Sequence, residues 1–284
     1  MIFGHKIQIN YFKKIEEKNR LFSSYLFSGK EGIGKLTFAI DLAKKITLPQ
    51  EIFVISKNEL FSQKNSDLSL INFENSISIE DVKNLINFLS LTSPQKKIGI
   101  IDEAHLLTFE AQNALLKILE EPPKNTHLIL ISQLPSQLLE TILSRLVKIQ
   151  FLPLSLKEIE EFLRSNFKEL KEKEIKEIAS LSFGSPKKAL KILENKEKYF
   201  LFKKGISKFL TSSIKEKINF LDLIGSDNLN YFFEEIFLFL EKELIRKKDK
   251  ETLNLTKNLF NNYWLINFKK INPNLVLEYF ALST

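Results

Sequence analysis

The sequence Phe27-Ser28-Gly29-Lys30-Glu31-Gly32-Ile33-Gly34-Lys35-Leu36-Thr37 decides the fold of this chain. An apolar run precedes it and an amphipathic run follows it, so the stretch predicts a strand, a glycine-rich turn and a helix. Residues 29–35 fit the pattern G-x-x-x-x-G-K, in which backbone N–H groups and a lysine hold phosphate oxygens. A serine or threonine that binds Mg²⁺ would come next, yet Leu36 stands there. The stretch therefore predicts phosphate binding without one metal ligand.

The threonine that follows does not restore the motif. It lies one residue further on, about 100° around the helix, so its hydroxyl takes a different direction. A glycine turn that binds nothing is the alternative interpretation of the same stretch. If nucleotide is bound, the candidate residues in this stretch are Gly29, Gly32, Gly34, Lys35 and Thr37.

Composition indicates a soluble globular protein of two or three domains. The 284 residues are 44% hydrophobic and 27% charged, and no apolar run is long enough to span a membrane. The N-terminus lacks the long apolar core of a signal peptide, which predicts a cytoplasmic protein with no membrane partner. The absence of cysteine excludes disulfides and thiolate metal sites, and three scattered histidines argue against zinc. We therefore expect no metal site.

Short apolar runs alternate with helical patterns in the first half of the chain. Strands are predicted at 24–28, 52–55, 98–103, 127–132 and 147–151. Helices are predicted at 8–19, 104–121 and 138–145, in the run that ends near 46, and after a cap at Ser78. This alternation predicts a parallel α/β sheet with helices on both faces. From Ser155 the pattern is purely helical, with helices at 156–166, 172–180 and 187–195 and long amphipathic helices beyond them.

Two acids follow the third apolar strand, at the edge of the sheet where ligands bind in open α/β folds. In a phosphate-loop ATPase, an aspartate in the place of Asp102 helps to hold Mg²⁺, and a glutamate in the place of Glu103 orients the attacking water. Capping of the next helix is the alternative role. The tetrad 102–105 also has the form of a helicase box, but the chain is short and has no second core of that type.

Two basic stretches have open interpretations. Arg145, just before the last strand, is either an ordinary surface arginine or an arginine finger for a neighbour's γ-phosphate, and the residues alone do not decide between them. The turn 184–186 starts a helix with Lys187 and Lys188 in its first turn, where the helix dipole disfavours cations. This mild misfit suggests a nearby anion.

Several separated stretches together carry a family resemblance. They are residues 24–35, 78–82, 100–105, 112–123, 142–145, 184–186 and 272–278, and the block from Gln112 to Pro123 is the most specific. On these residues the chain resembles the AAA+ clamp-loader subunits of bacterial DNA polymerase III, and among them the delta-prime subunits. The resemblance spans almost the whole chain and is weakest between residues 199 and 270.

The resemblance implies an AAA+ core at 1–153, a small helical lid at 154–198 and a helical collar at 199–284. It implies a five-subunit ring with gamma/tau and delta subunits, which opens the sliding clamp and places it on primer-template DNA during replication. It also implies that Arg145 reaches a neighbour's ATP site and that Ser132 or Gln133 lies in the first sensor region. Lys188 stands where the second sensor is often arginine, although lysine cannot make the same bidentate contact.

Three departures from the family pattern bear on activity. Leu36 removes the Mg²⁺ hydroxyl, residues 47–52 lack the four-cysteine zinc module of many relatives, and Leu146 replaces a common cysteine after Arg145. We therefore expect a ring subunit that hydrolyses no ATP itself and gives Arg145 to a neighbour in trans, with Glu103 as a vestigial base. No cofactor is required, ATP or ADP binding is weak or vestigial, and no zinc is expected.

Two other functions remain open at this stage. An active gamma/tau-like AAA+ ATPase would need water or Thr37 in place of the lost ligand. A stand-alone DNA-binding protein would owe its activity to the net charge of +7, from 42 basic and 35 acidic residues. A solvated lysine-rich surface accounts for that charge equally well.

Overall fold

The computed structural model describes residues 3–18, 20–47, 52–55, 76–91, 93–94 and 96–194, with seven further positions between 236 and 257. The chain divides into two compact units, 1–193 and 194–284. In the second unit the described positions are helical, and Ile236 and Leu240 are buried. Most of the predicted collar lies outside the described residues.

The first unit is built on one five-stranded sheet. Its strands are β1 Ser24–Ser28, β2 Ile52–Ile55, β3 Lys97–Ile101, β4 Thr126–Ser132 and β5 Val147–Gln150. Every pair is parallel, and the order across the sheet is β2-β3-β4-β1-β5. The predicted parallel sheet is confirmed, and β1 and β2 have the predicted bounds.

Helices cover both faces of this sheet, as parallel strands require. The helices are α1 Lys6–Glu17, α2 Lys35–Ile46, α3 Ile79–Ser90, α4 Phe109–Glu120, α5 Glu140–Leu143, α6 Leu156–Asn166, α7 Glu172–Ser182 and α8 Pro186–Glu194. Side chains of β1 alternate between the faces: Leu26 joins a core cluster with α3, α4 and α5, whereas Tyr25 and Phe27 join a second cluster with α1 and α2. The predicted α/β architecture is thus confirmed on both faces.

The predicted helix at 104–121 is wrong at its start. A short 3₁₀ turn, Ala104–Leu106, follows the strand-end acids, and Leu107 is extended and forms a parallel bridge with Ile77. The α-helix begins only at Phe109, because the Thr108 hydroxyl caps it by accepting from the N–H of Ala111 at 3.2 Å.

Other helix ends also differ from the predictions. The first helix begins at Lys6, two residues earlier than expected, and the helix expected at 138–145 is reduced to Glu140–Leu143. Leu138 is extended and Leu139 is not helical, and the N–H of Leu139 donates to the side-chain oxygen of Gln112 at 2.8 Å. A contact distant in sequence therefore delays this helix.

Two predicted caps are confirmed in full. The Ser78 hydroxyl accepts from the N–H of Asp81 while the Asp81 carboxylate accepts from the N–H of Ser78, and Ser155 and Glu158 repeat this reciprocal arrangement at the start of α6. The three helices after β5 are present close to their predicted bounds. Of the helices among the described residues, none combines the length and the apolar character needed to cross a membrane.

Candidate functional site

The glycine-rich loop joins β1 to α2 and needs its glycines for steric reasons. Gly32 and Gly34 have φ values of +74° and +99°, in the left-handed region. A Cβ on Gly32 would lie 2.6 Å from the hydroxyl oxygen of Ser185, so the loop and the turn before α8 approach each other through a position that only glycine fits. The loop is thus a close-packed backbone turn at the positive end of a helix, which suits an anion.

Lys35 is the first residue of α2 and is buried. Its ammonium donates to the carbonyl oxygens of Gly29 at 2.7 Å and Lys30 at 2.6 Å. Burial lowers the pKa of Lys35, while the negative charges of Glu103, Asp102 and Glu31 raise it and so oppose that shift. The predicted strand-end acids therefore act on the loop lysine, and a phosphate would have to replace its two bonds to the loop carbonyls.

Leu36 gives the loop an apolar group where the motif requires a hydroxyl. Its side chain is half-buried and packs against the core cluster formed with α1 and α2, whereas the side chain of Thr37 is exposed. The loop N–H groups and Lys35 fit a phosphate, and Asp102 offers one carboxylate for Mg²⁺. Within the described ranges, no group of three or more histidine, aspartate or glutamate side chains could hold a metal ion.

The two strand-end acids have different surroundings. Asp102 is 9% exposed, and its N–H donates to the carbonyl of Ile55 at 2.9 Å, which extends the β2–β3 pairing by one residue. Glu103 has a φ of +50° and precedes the 3₁₀ turn, so its backbone is in a conformation that is uncommon for a residue with a side chain. Such strained positions occur often at functional sites.

His105 connects Glu103 to the predicted first sensor. Its Nε2 lies 3.5 Å from Oε2 of Glu103, and its Nδ1 lies 3.5 Å from the hydroxyl oxygen of Ser132. Ser132 is the last residue of β4, is fully buried, and accepts from the N–H of Leu134 at 3.0 Å. The structure thus connects two predicted site residues, Glu103 and Ser132, through His105, which was not among the predicted site residues.

The turn before α8 contacts the phosphate loop directly. The carbonyl of Gly32 accepts from the hydroxyl of Ser185 at 3.0 Å and from the N–H of Lys187 at 3.2 Å. The ammonium of Lys187 lies 2.6 Å from Oε1 of Glu31, and both side chains are exposed. Lys188, the predicted second sensor, lies instead with its ammonium 5.4 Å from the ring centroid of Phe183. Lys187 is therefore a cation of α8 at the phosphate loop, although it was not among the predicted site residues.

Arg145 follows α5 and is held at the surface. Its Nη2 donates to Oε1 of Glu120 at 2.8 Å, and its Nη1 donates to the carbonyl of Thr141 at 2.6 Å. The side chain of Arg145 is 35% exposed. The structure thus places this predicted finger on the α4–α5 side of the sheet, with its guanidinium at the surface.

Comparison with known families decides the assignment. Residues 4–155, just over half of the chain, match the family described as DNA polymerase III, delta subunit. The chain belongs to this family. The residues matched to the delta family include all five strands of the sheet and the phosphate loop.

Curated relatives of this delta-family chain include two kinds of DNA polymerase III subunit. The delta-prime subunit of Bacillus subtilis is 39% identical over 155 residues, which are 52% of this chain and 47% of the relative. The gamma/tau subunit of Mycoplasma genitalium is 32% identical over 254 residues, which are 78% of this chain and 42% of the relative. The chain therefore spans about half or less of the length of these two relatives.

Solved structures support the fold of the delta-family chain. A gamma-subunit-related DNA polymerase III protein of Thermotoga maritima superposes with a TM-score of 0.60 at 18% identity, over 96% of this chain and 97% of that one. The RuvB Holliday junction branch migration motor of the same organism superposes with a TM-score of 0.51 at 18% identity, over 68% of this chain and 61% of that one. Identities this low indicate the shared AAA+ fold alone.

Proposed function

We propose that this chain is a delta-prime-like subunit of the DNA polymerase III clamp loader, a cytoplasmic complex that places the sliding clamp on primed DNA. Its partners are gamma/tau and delta subunits in a five-subunit ring, through which it reaches the clamp and the primer-template DNA. Membership of the delta family and the identity to the B. subtilis delta-prime subunit support this assignment.

The proposed subunit hydrolyses no ATP itself. The observation that carries this part of the proposal is the side chain of Leu36, which packs against an apolar cluster where a Mg²⁺-binding hydroxyl would stand. Lys35, which would meet the phosphates, is bound to carbonyls of its own loop. ATP or ADP binding is accordingly weak or vestigial, no cofactor is required, and no zinc is bound.

Arg145 supplies the catalytic contribution, at the ATP site of a neighbouring subunit. Its guanidinium is at the surface, as a group that acts in trans must be. The 284 residues include only four arginines among 42 basic residues, so an arginine at this position stands against a strong preference for lysine. A planar guanidinium can bind phosphate through two parallel hydrogen bonds and a lysine ammonium cannot, which is a physical reason for arginine at position 145.

Replacement of Arg145 by alanine tests the proposal in the reconstituted complex. We expect Arg145→Ala to lower the DNA-stimulated ATPase rate of the neighbouring site by as much as roughly 10³-fold, because the transition-state charge loses its stabilising cation. Arg145→Lys should recover little of this rate, since lysine keeps the charge without the planar fork. The rate is measured as phosphate release with primed DNA and clamp present.

Arg164 provides the matched control. It is also an exposed arginine in ion pairs, with Glu160 at 3.0 Å and Glu172 at 2.8 Å, but it lies in α6. Arg164→Ala should leave the ATPase rate of the complex within about twofold of the unmodified value. An unchanged rate with Arg145→Ala would overturn the proposed role of this residue.

A gamma/tau-like ATPase is the second candidate function. It is favoured by the two acids whose charges act on Lys35, and by the similarity to a gamma/tau subunit over 78% of the chain. This candidate predicts Mg²⁺-dependent ATP turnover by the purified chain that Glu103→Gln abolishes. Our proposal predicts negligible turnover, and tighter Mg²⁺-dependent nucleotide binding after Leu36→Thr. Titration of nucleotide with and without Mg²⁺ separates the two.

A further inference from the structure

We propose that Glu120 is a positioning residue for Arg145, which holds the guanidinium in one orientation at the surface before a neighbour's phosphate reaches it. This inference rests on the proposed function of Arg145 and extends it to a residue on a different helix. Glu120 is the last residue of α4, whereas Arg145 follows α5. The ion pair therefore connects Arg145 to α4, a different helix from the α5 helix that Arg145 follows.

The contacts anchor the guanidinium from two sides. Nη2 donates to Oε1 of Glu120 at 2.8 Å. Nη1 donates to the carbonyl of Thr141 at 2.6 Å and lies 3.3 Å from the hydroxyl oxygen of Ser144. Because the acceptors come from α4 on one side and α5 on the other, the planar group cannot rotate without breaking one set of bonds.

These contacts leave donors for a ligand. A guanidinium has five N–H donors in a fixed plane, and the three hydrogen bonds use two on Nη1 and one on Nη2. Among the described residues no other acceptor is bound to this guanidinium, so one donor on Nε and one on Nη2 remain for a phosphate. Glu120 can thus keep its bond while Arg145 binds in trans.

The solvent exposure of the ion pair indicates that its main effect is to orient the guanidinium of Arg145 and not to stabilise the fold. The side chains of Arg145 and Glu120 are 35% and 52% exposed, and surface ion pairs of this kind contribute little to folding stability. A long side chain that is already ordered loses less entropy when it binds. Its geometry in the complex is also closer to the one that stabilises a transition state.

Glu121 makes a matched comparison possible. It is the next residue and is also exposed, and among the described residues the carboxylate that pairs with Arg145 is that of Glu120. Glu120→Gln and Glu121→Gln therefore remove the same charge from neighbouring positions. Only the first removes an ion pair with the finger.

Steady-state ATPase of the reconstituted complex with primed DNA and clamp is the first measurement. We expect Glu120→Gln to lower kcat about three- to fivefold with KM for ATP unchanged, the range that the loss of one surface ion pair allows. Glu121→Gln should leave both constants unchanged. In the Arg145→Ala complex, Glu120→Gln should have no further effect, because its role is exerted through the arginine.

Arginine side-chain NMR of the isolated full chain is the second measurement, and it does not depend on ATPase activity. With four arginines in the sequence, selective ¹⁵N-arginine labelling gives four Nε signals, and Arg145→Ala and Arg164→Ala identify the signals of these two residues. Glu120→Gln should shift and narrow this signal toward that of a freely rotating side chain. The signal of Arg164 should not move.

Three results would overturn the inference. The first is a raised kcat with Glu120→Gln. The second is a loss of kcat from Glu120→Gln that is as large in the Arg145→Ala complex as in the complex that has Arg145. The third is an Nε signal of Arg145 that Glu120→Gln leaves unchanged. A normal ATPase rate with Arg145→Ala would contradict the proposed function instead, and the NMR measurement alone would then decide whether Glu120 orders the arginine.

Discussion

Gln112 joins two backbone segments through three hydrogen bonds of one buried side-chain amide. Its nitrogen donates to the carbonyls of Leu107 at 3.2 Å and Gln137 at 3.3 Å, and its oxygen accepts from the N–H of Leu139 at 2.8 Å. The side chain is 5% exposed. At the scale of a single residue, this amide fixes the extended segment before α4 and the segment that leads into α5, and so supports the helix beside Arg145.

Removal of this amide should destabilise the fold. Gln112→Ala leaves three backbone groups without this partner, and we expect a loss of about 2–4 kcal/mol in the free energy of unfolding. An unsatisfied buried group costs about 1–3 kcal/mol, and the groups of Gln137 and Leu139 are only part-buried, so they contribute less than that of Leu107. Urea denaturation followed by circular dichroism measures the loss. Asn113→Ala is the control, because the bond that this exposed amide makes within the described part of the chain is to the carbonyl of Phe109 in its own helix, at 3.0 Å. Equal losses for the two variants would contradict the bridging role.

At the scale of elements, the strands and caps could be predicted closely. Four of the five apolar runs are strands with bounds within one residue of those predicted, whereas β3 ends at Ile101 rather than Glu103, because the apolar run itself stops at Ile101. The reciprocal caps at Ser78 and Ser155 depend on residues three apart in sequence. Local chemistry was sufficient for these elements.

Helix starts were less predictable where distant contacts intervene. Residues 104–121 have a continuous helical pattern, yet Leu107 is extended because it pairs with Ile77 and accepts a hydrogen bond from Gln112. The start of α5 is delayed by the bond from Leu139 to Gln112. Both errors come from partners that a local periodicity does not contain.

At the scale of the whole molecule, the candidate site combines residues from separate parts of the chain. The sequence predicts Asp102 and Glu103 at the carboxyl edge of the parallel sheet, and in the structure their charges act on Lys35 of the loop that follows β1. It did not reveal that Lys187 rather than Lys188 approaches Glu31, since that depends on how the turn after α7 sits on the loop. The link through His105 was missed for the same reason.

His5 connects the N-terminal segment to the phosphate loop. Its Nε2 lies 2.8 Å from the carbonyl oxygen of Ile33 and therefore donates to it. The imidazole ring packs edge-on against Phe151, with 4.9 Å between the two ring centroids. Burial lowers the pKa of His5, although the bond to Ile33 and the charge of Glu158 oppose this shift and the charge of Lys35 reinforces it. The folded protein thus favours the neutral imidazole.

This burial predicts a loss of stability in mild acid. The pKa of His5 in the folded chain lies below its unfolded value of 6.5, so the unfolded chain binds more protons as the pH falls through that range. We expect the free energy of unfolding to decrease from about pH 7.5 to about pH 5.5. Glu158, whose carboxyl pKa is lowered by hydrogen bonds from Ser155, contributes only below its ordinary pKa of 4.5, outside this window.

The variant His5→Gln tests this prediction, because it keeps a side-chain N–H donor but cannot be protonated. Urea denaturation should show a smaller decrease in the free energy of unfolding over this pH range for the variant than for the unmodified chain. An equal or larger decrease would show that His5 is not the group whose protonation opposes folding.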